Sequence, residues 1–515
     1  MARAHSRSPD PLPAAETVPD LLAWRCALQP DRVAIAVHDV ATLTFAQWQA
    51  GAATVAAAMH RRGLRRGDRV ALLFGSGDWT EFAVGYCGVQ QAGGVAVPLS
   101  VRLAANQVGQ ILDHCAAPGV LHGSTTTAPQ PGAGRWVATV ADLLAESGDP
   151  TPGTGPRPGD PAQILYTSGT TGRPKGVAAS HANLTAGAPT HPRRLQLGHS
   201  EIFLHAFGIG TNAAQTMLLL ALRARPSALT LPRFTPARFA RLIGSSRAGS
   251  VFVVPAMAAE LLNAGVLRAA DTAGVHLVGS TAAALPPAVA ERLAAAFPNA
   301  AIVNSYTSTE AAPAQTTMIF DPERPAAVGR PAGGSIMIAD AAGAPLPAGT
   351  TGDVWLRSPH PRGYFRDDAA TSATFRGDWV RMGDIGRLDA DGYLYLLDRD
   401  CDIVTTGAYK VSTLEVEAAL YEHPAVVEAA AVGLPHPVLG ASLAVAVVAR
   451  AGTPAADVAL PALRQFLVTR LADYQLPTRV LVLAELPRNE AGKVLKRQLI
   501  TSFQANENGR PRVQG

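Results

Sequence analysis

The sequence predicts an α/β protein with two domains. A large N-terminal domain packs helices against mostly parallel sheets, and a small α+β domain follows it. Two observations support the large domain. Helical patterns alternate with short apolar runs from Val18 to about Gly123, and further apolar runs bounded by turn residues continue through the middle of the chain. A third observation is a new plan of strands and helices that begins near Asp398.

Within the first stretch, Phe45–His60 carries a helical pattern, while 70–74 and 94–99 are continuous apolar runs of strand length. The Pro-, Gly- and Thr-rich segment from Asp149 to Asp160 reads as a surface linker between subdomains. Gln163–Tyr166 reads as a strand entering a loop. Residues 251–254, 275–278 and 301–303 read as buried parallel strands. From Asp402 onward the pattern predicts a strand at 403–404, a helix over 413–422, strands at 425–432 and 442–448, and a helix before Tyr474. The boundaries that follow are a tail at 1–17, a large domain at 18–400 and a small domain at 401–515.

The chain has 515 residues, enough for several compact units, and its 48% hydrophobic and 16% charged content is that of a globular protein. A net charge of +4 from 44 basic and 40 acidic residues suits anionic small molecules and gives little support to nucleic acid as a partner. The four cysteines form no CxxC or Cys/His spacing, so reduced thiols in a cytoplasmic protein are expected. The apolar run near Met217–Leu222 is too short to span a bilayer, and the N-terminus lacks the apolar core of a signal peptide.

The segment Tyr166-Thr-Ser-Gly-Thr-Thr-Gly-Arg-Pro-Lys-Gly-Val177 is a phosphate-holding loop by composition. Its glycines Gly169 and Gly172 let the backbone approach an anion. The hydroxyls of Thr167, Ser168, Thr170 and Thr171 and the Lys175 ammonium can surround phosphate oxygens. It is not a Walker A loop, because Gly176 follows the lysine where a metal-binding hydroxyl would stand. Downstream lie Asn304-Ser-Tyr-Thr-Ser-Thr-Glu310, Trp379-Val-Arg-Met-Gly-Asp384, Asp398-Arg399, Asp402 through Glu417, and Pro487-Arg-Asn-Glu-Ala-Gly-Lys-Val-Leu-Lys496.

In this order, from about Val18 to Gln504, the motifs resemble those of the adenylate-forming superfamily: acyl-CoA synthetases, aryl-CoA ligases, firefly luciferase and peptide-synthetase adenylation domains. The wording is closest to the acyl-CoA synthetases. The resemblance implies an ATP-dependent ligase that joins a carboxylic acid to AMP with release of pyrophosphate and then transfers the acyl group to CoA. It also implies that the small domain is mobile.

The resemblance further implies roles residue by residue. Tyr306 would stack on adenine, Thr309 would bond the α-phosphate and Glu310 would hold Mg²⁺. Asp384 would accept from the ribose hydroxyls, with Arg399 beside it. Lys493 would be the catalytic lysine, stabilising the charge that builds as pyrophosphate leaves. Gly407 would swing in to line the thiol tunnel. His205, in Phe203-Leu-His-Ala-Phe-Gly208, would lie near the entering carboxyl group and thiol.

The pattern also departs from the family. Thr307 replaces the usual glycine, and Cys401 stands at the hinge where Asp or Lys is usual. Glu415 and Glu417 read as a solvated helix start, where the dipole favours carboxylates.

The acid is left open. Glu260 stands where an arginine for a second carboxylate would be, so malonate is not supported, and no aspartate is offered near Ala206 and Phe207 for an α-amino group. Gly279-Ser-Thr-Ala282 and Ile209–Thr216 hint at a polar or aromatic acid. The alternatives are an adenylating enzyme of a biosynthetic pathway that uses a carrier protein or an amine as acceptor, including amine attack on an activated acid such as nitrite, and an inactive nucleotide-binding homologue. The last is disfavoured by the presence of Lys175, Glu310, Asp384, Arg399 and Lys493.

Overall fold

The computed structural model describes residues 15–130, 132, 134–146, 155–168, 174–331, 335–399, 402–407 and 409–508. They fall into two compact units: residues up to 233 with 248–250 and 359–371, and residues 234–247, 251–358 and 372 onward.

The first unit is built on a seven-stranded sheet whose spatial order is Gly363–Tyr364, Pro174–Ser180, Pro161–Ser168, Val95–Ser100, Arg69–Phe74, Gly119–His122 and Trp136–Thr139. The strands from Pro161–Ser168 to Trp136–Thr139 pair in parallel. Both central strands, Arg69–Phe74 and Val95–Ser100, are buried along almost their whole length, as strands covered by helices on both faces are. The helix Phe45–Arg61 starts where a reciprocal cap forms: Gln47 N donates to Thr44 Oγ1 at 3.2 Å and Thr44 N donates to Gln47 Oε1 at 2.9 Å. It packs tightly on the helix Trp79–Gln91, where a Cβ on Gly88 would lie 2.5 Å from Val55 Cγ1. A second group of strands joins Ile202–His205, Ser227–Thr230 and Val33–Val37 in parallel, with Ala41–Thr44 antiparallel at the end.

The predicted linker is corrected here. Residues 147–154 lie outside the described residues, but Ala96 pairs with Gln163 in one sheet and Arg66 forms an ion pair with Asp160. The segment therefore reconnects strands of one sheet and does not separate subdomains.

In the second unit, Leu277–Ser280 runs parallel to Ala301–Tyr306. The sheet then turns antiparallel through Thr316–Ile319, Ala327–Pro331, Leu394–Arg399, Trp379–Leu388, Gly352–Arg357 and Ile336–Ala339. Residues 402–508 carry a sheet of their own. Val426–His436 and Gly440–Ala449 form its long hairpin, and the outer edge of Gly440–Ala449 pairs with Val404–Thr406 at its start, followed by Tyr409–Val411, and with Arg479–Leu483 further along.

Period-two alternation splits this hairpin between two cores. Ala429, Ala431, Leu443, Val445 and Val447 face the helices Thr413–Tyr421 and Leu460–Leu467, whereas Ala430, Val432, Ala444 and Ala446 face the helix Lys496–Asn508. Among the described residues no helix is long and apolar enough to cross a membrane.

Candidate active site

In the first unit, the strands Pro161–Ser168 and Pro174–Ser180 form an antiparallel hairpin in which Thr167 stands opposite Lys175. Gly169, Thr170, Thr171 and Gly172, at its tip, and the side chain of Ser168 lie outside the described residues. The stem is fixed by close packing. A Cβ on Gly176 would be 2.8 Å from Ile164 Cγ2, and Phe365 N donates to the Gly176 carbonyl at 2.7 Å. Tyr166 Oη and His114 Nδ1 share a hydrogen bond of 2.7 Å, and burial pushes the Tyr166 phenol up. The half-buried Lys175 places its ammonium 5.0 Å from the centroid of the Tyr364 ring, a cation–π arrangement.

His205 ends the strand Ile202–His205 in an aromatic cage. Its ring centroid lies 5.0 Å from that of Trp79, 6.1 Å from Phe203 and 5.6 Å from Phe207. It is 1% exposed, Nδ1 accepts from Phe207 N at 3.3 Å, and burial pulls its pKa down to about 3. The imidazole is therefore neutral at physiological pH, and direct contact with a substrate requires the cage to open.

In the second unit, Tyr306 at the end of its strand donates its hydroxyl to Asp384 Oδ2 at 2.5 Å, and Asp384 is buried. Asp384 stands opposite Arg399 in the neighbouring strand, the Arg399 side chain being outside the described residues. An aromatic ring and a carboxylate thus meet, with the end of the strand Leu394–Arg399 paired beside the carboxylate. Thr309 and Glu310 follow in a half-buried turn held by Ala311 N donating to Ser308 Oγ at 3.1 Å. Thr307, in place of glycine, bonds the Ala314 carbonyl through Oγ1 at 2.7 Å. Its backbone is not left-handed, so the substitution is unstrained.

Lys493 sits on a tight hairpin. Lys493 N donates to Asn489 Oδ1 at 2.9 Å, Asn489 N donates to the Lys493 carbonyl at 2.9 Å, and Arg488 ties the hairpin to Glu428 at 3.1 Å. The turn closes with Gly492 at φ +77°, where a Cβ would lie 2.9 Å from Val254 Cγ2. Val254 precedes the helix Pro255–Asn263, so the lysine hairpin is seated on that helix start. Gly492→Ala is strained twice over, by its backbone and by Val254. It is expected to slow ATP–pyrophosphate exchange by roughly tenfold, since a small displacement of a catalytic group is costly. Exchange at the wild-type rate would show that the hairpin's seat does not matter.

Gly407 adopts φ +58° and donates its N–H to the Leu439 carbonyl at 2.9 Å. Beside it a cavity of about 620 Å³ is lined by Asp402, Thr405, Leu439, Gly440 and Lys496 among others. Cys401, the expected hinge position, lies outside the described residues.

The reading of Glu417 as a solvated residue is overturned. Lys496 Nζ donates to Thr413 Oγ1 at 2.7 Å and pairs with Glu417 Oε1 at 3.1 Å and Asp402 Oδ2 at 3.6 Å, and Ala431 N donates to Glu417 Oε1 at 2.9 Å. Burial pushes the Glu417 carboxyl up, opposed by the Lys496 ammonium. For Lys496 burial acts downward, but the Glu417, Asp402 and Asp398 carboxylates outweigh it and raise the ammonium. The short contacts favour the ion pair. Glu415, by contrast, is exposed, accepting from Gln475 Nε2 at 2.6 Å. Thr413 and Glu417 form an i,i+4 pair on one helix, the signal that marks them as neighbours in the sequence.

Among the described residues no group of three or more His, Cys, Asp or Glu side chains could hold a metal ion by itself. The single carboxylate of Glu310 fits an ion whose remaining ligands are phosphate oxygens and water, the usual arrangement for Mg²⁺.

The fold and the order of these elements define an AMP-forming acid ligase. The chain belongs to the AMP-binding enzyme family, which matches residues 22–365, and the family's C-terminal domain matches residues 415–493. It is 30% identical over 506 residues to a sulfoacetate–CoA ligase of Cupriavidus necator, covering 94% of this chain and 97% of that one. It is likewise 30% identical to a feruloyl-CoA synthase of an Amycolatopsis species, over 93% of this chain and 97% of the relative. Among solved structures, ATP-bound MatB from Rhodopseudomonas palustris superposes with a TM-score of 0.82 at 28% identity, covering 94% of this chain and 99% of that one. The amide bond synthetase McbA of Marinactinospora thermotolerans superposes with a TM-score of 0.79 at 25% identity, covering 94% and 99%.

Proposed function

We propose that the chain activates a small polar or aromatic carboxylic acid with ATP and passes the acyl group to the thiol of CoA. The observation that carries this reading is the seating of the Lys493 hairpin on Val254, in the same unit as the Tyr306–Asp384 pair. That seating holds the backbone of the Lys493 hairpin beside the start of the helix Pro255–Asn263.

In the first step a carboxylate oxygen attacks the α-phosphorus, an O–P bond forms and the bond to the pyrophosphate oxygen breaks. Lys175 and the hydroxyls of Thr167, Ser168, Thr170 and Thr171 hold the phosphates, with Gly169 and Gly172 allowing close approach. Thr309 bonds the α-phosphate, Tyr306 stacks on adenine, and Asp384 with Arg399 holds the ribose. Lys493 offsets the negative charge of the transition state. Mg²⁺ bound through Glu310 would supply charge neutralisation on the phosphates. In the second step the thiol sulfur attacks the acyl carbon, the bond to AMP breaks and the thiol proton leaves to solvent, with Gly407 beside the acceptor. His205 shapes the acyl end of the site.

The acid class rests on Ser280, whose buried hydroxyl lacks a protein partner, and on Phe252, whose ring fills the space a Cβ on Gly279 would take. A buried hydroxyl without a partner suits a polar acid better than a long alkyl chain. With no arginine at Glu260, a second carboxylate is not provided for. The likeness to an amide bond synthetase supports a second reading, in which an amine or a carrier protein is the acceptor.

An exchange assay across aliphatic, aromatic and inorganic acids tests the first step, and mass spectrometry of products with CoA tests the second. Acyl-CoA formed as fast as the adenylate supports the CoA reading. An adenylate that persists with CoA but disappears on adding an amine or carrier protein overturns it. Glu310→Gln is expected to raise the Mg²⁺ concentration needed for half-maximal exchange, because one anionic oxygen ligand is lost. An unchanged Mg²⁺ titration would remove Glu310 from the metal site.

A further inference from the structure

The second unit also holds a cleft of about 370 Å³ that shares no lining residue with the cavity beside Gly407. One wall is the first half of the helix Pro287–Ala296, with Glu291 and Arg292. The other is the end of the helix Thr413–Tyr421 and the start of the strand Val426–His436, with Glu422, His423 and Arg450. Sheet pairing puts Arg450 there, since Val426 stands opposite Ala449 and Arg450 N donates to the Ala425 carbonyl at 2.8 Å.

The two arginines are exposed, and each guanidinium is held by a neutral oxygen. Arg292 Nη2 donates to Asn263 Oδ1 at 2.9 Å, and Arg450 Nε donates to the Pro424 carbonyl at 2.9 Å. Among the described residues no carboxylate forms an ion pair with either. Of the acids in the cleft, Glu422 is engaged by Arg470 at 2.9 Å, and Glu291, next to Arg292 in sequence, does not face it. Burial, and after it the charge of Arg450, pulls the Arg292 guanidinium down, so the two cations sense each other across the cleft. His423 adds a donor. Its Nδ1 accepts from Ala425 N at 3.2 Å and burial pulls its pKa down, so at neutral pH its proton is on Nε2.

We propose that this cleft is a binding site for a phosphate-class anion, gripped between Arg292 and Arg450. Like charges facing one cavity repel until an anion enters, and the planar fork of arginine bonds two phosphate oxygens at once. The cavity has room for a phosphate and several waters. Occupancy joins the helix Pro287–Ala296 to the sheet of residues 402–508. Through Arg292 and Asn263 it also reaches the end of the helix Pro255–Asn263, on whose start the Lys493 hairpin sits. A bound anion therefore braces that seat from the far end of the same helix. The site does not depend on which acceptor takes the acyl group.

The test is calorimetric titration of inorganic phosphate, pyrophosphate and acetate, without nucleotide, into the full chain and its Arg292→Gln, Arg450→Gln, Arg450→Lys and Lys175→Ala variants. The wild type is expected to bind phosphate or pyrophosphate and not acetate, and the tighter of the two identifies the source of the anion. Either glutamine variant should weaken binding by roughly tenfold, the scale of one lost charge-assisted hydrogen bond. Arg450→Lys keeps the charge and should keep part of the affinity. Lys175→Ala removes the cation of the phosphate-holding loop and should leave binding in the cleft unchanged. Without phosphate, Arg292→Gln relieves a repulsion and should melt no lower than the wild type, whereas added phosphate should raise the wild-type midpoint alone.

No phosphate or pyrophosphate binding by the wild type overturns the site. Binding that is lost in Lys175→Ala and kept in both glutamine variants places the anion in the phosphate-holding loop and overturns it as well. Equal binding of acetate would reduce the cleft to an unselective patch of positive charge, and Arg292→Gln melting well below the wild type without phosphate would make that arginine structural; either result sinks the proposal.

Discussion

Lys493→Ala is expected to lower ATP–pyrophosphate exchange by about 10²–10³-fold, the loss that follows removal of one preorganised donor from a developing charge. The structure makes this a clean experiment. Asn489 grips the backbone N–H and carbonyl of residue 493, and neither contact involves the side chain. The hairpin should keep its shape when the ammonium goes, so the change reports the missing cation. Unfolding should be unaltered. Exchange within a few-fold of wild type would show that another group neutralises the transition state.

The second large effect is on stability. Lys496→Met removes the cation shared by Glu417 and Asp402 and leaves their carboxylates, each less than a quarter exposed, without that partner. Breaking one side of a buried pair costs about 3–5 kcal/mol. The small domain should therefore melt well below the wild type in a thermal scan. Adding Glu417→Leu should recover part of the loss, since the more buried of the two stranded charges is then gone.

The pH dependence follows from the same carboxyl. Glu417 already has its folded pKa raised, and without Lys496 it is pushed higher. Such a group binds more protons folded than unfolded, so its contribution to stability is lost as pH rises through the folded value. The variant's deficit should shrink at mildly acidic pH. A deficit independent of pH, or no destabilisation, would show that the pair is not coupled as drawn.

Much of this was legible in the residues. The strand Arg69–Phe74 is a short apolar run between turn residues, and a buried parallel strand leaves no other signature, whereas Ala301–Tyr306 is buried only at alternate positions and pairs antiparallel on one side. The segment from Tyr166 to Val177 reads as a phosphate-holding loop because glycines, hydroxyls and a lysine together have few other uses, and of it the structure describes the hairpin stem. Where the reading failed, the missing information was nonlocal. The Pro- and Gly-rich stretch before Pro161 has a linker's composition, but sheet pairing between Ala96 and Gln163 is a long-range choice that composition does not record. Glu417 read as solvated because its neighbours in sequence suit a helix start, whereas its partner Lys496 lies far along the chain. His205 could be placed in an apolar segment, yet its cage draws Trp79 from another part of the chain.

Asp398 has a mechanical consequence. It stands at the end of the strand Leu394–Arg399, is 2% exposed, and accepts hydrogen bonds from Thr413 N and, at 3.0 Å, from Thr413 Oγ1 at the start of the helix Thr413–Tyr421. These bonds reach over the short stretch that contains residue 401. A small domain pivoting at that stretch would tear a nearly dry carboxylate from its donors, while one pivoting ahead of residue 398 would carry the carboxylate along. In the first case Asp398 is a detent. It holds the joint at one setting and lets go only when water or a new donor replaces Thr413. The turnover of such a machine would be timed by the joint and not by bond-making, with a steep dependence on temperature and little on the acid chosen.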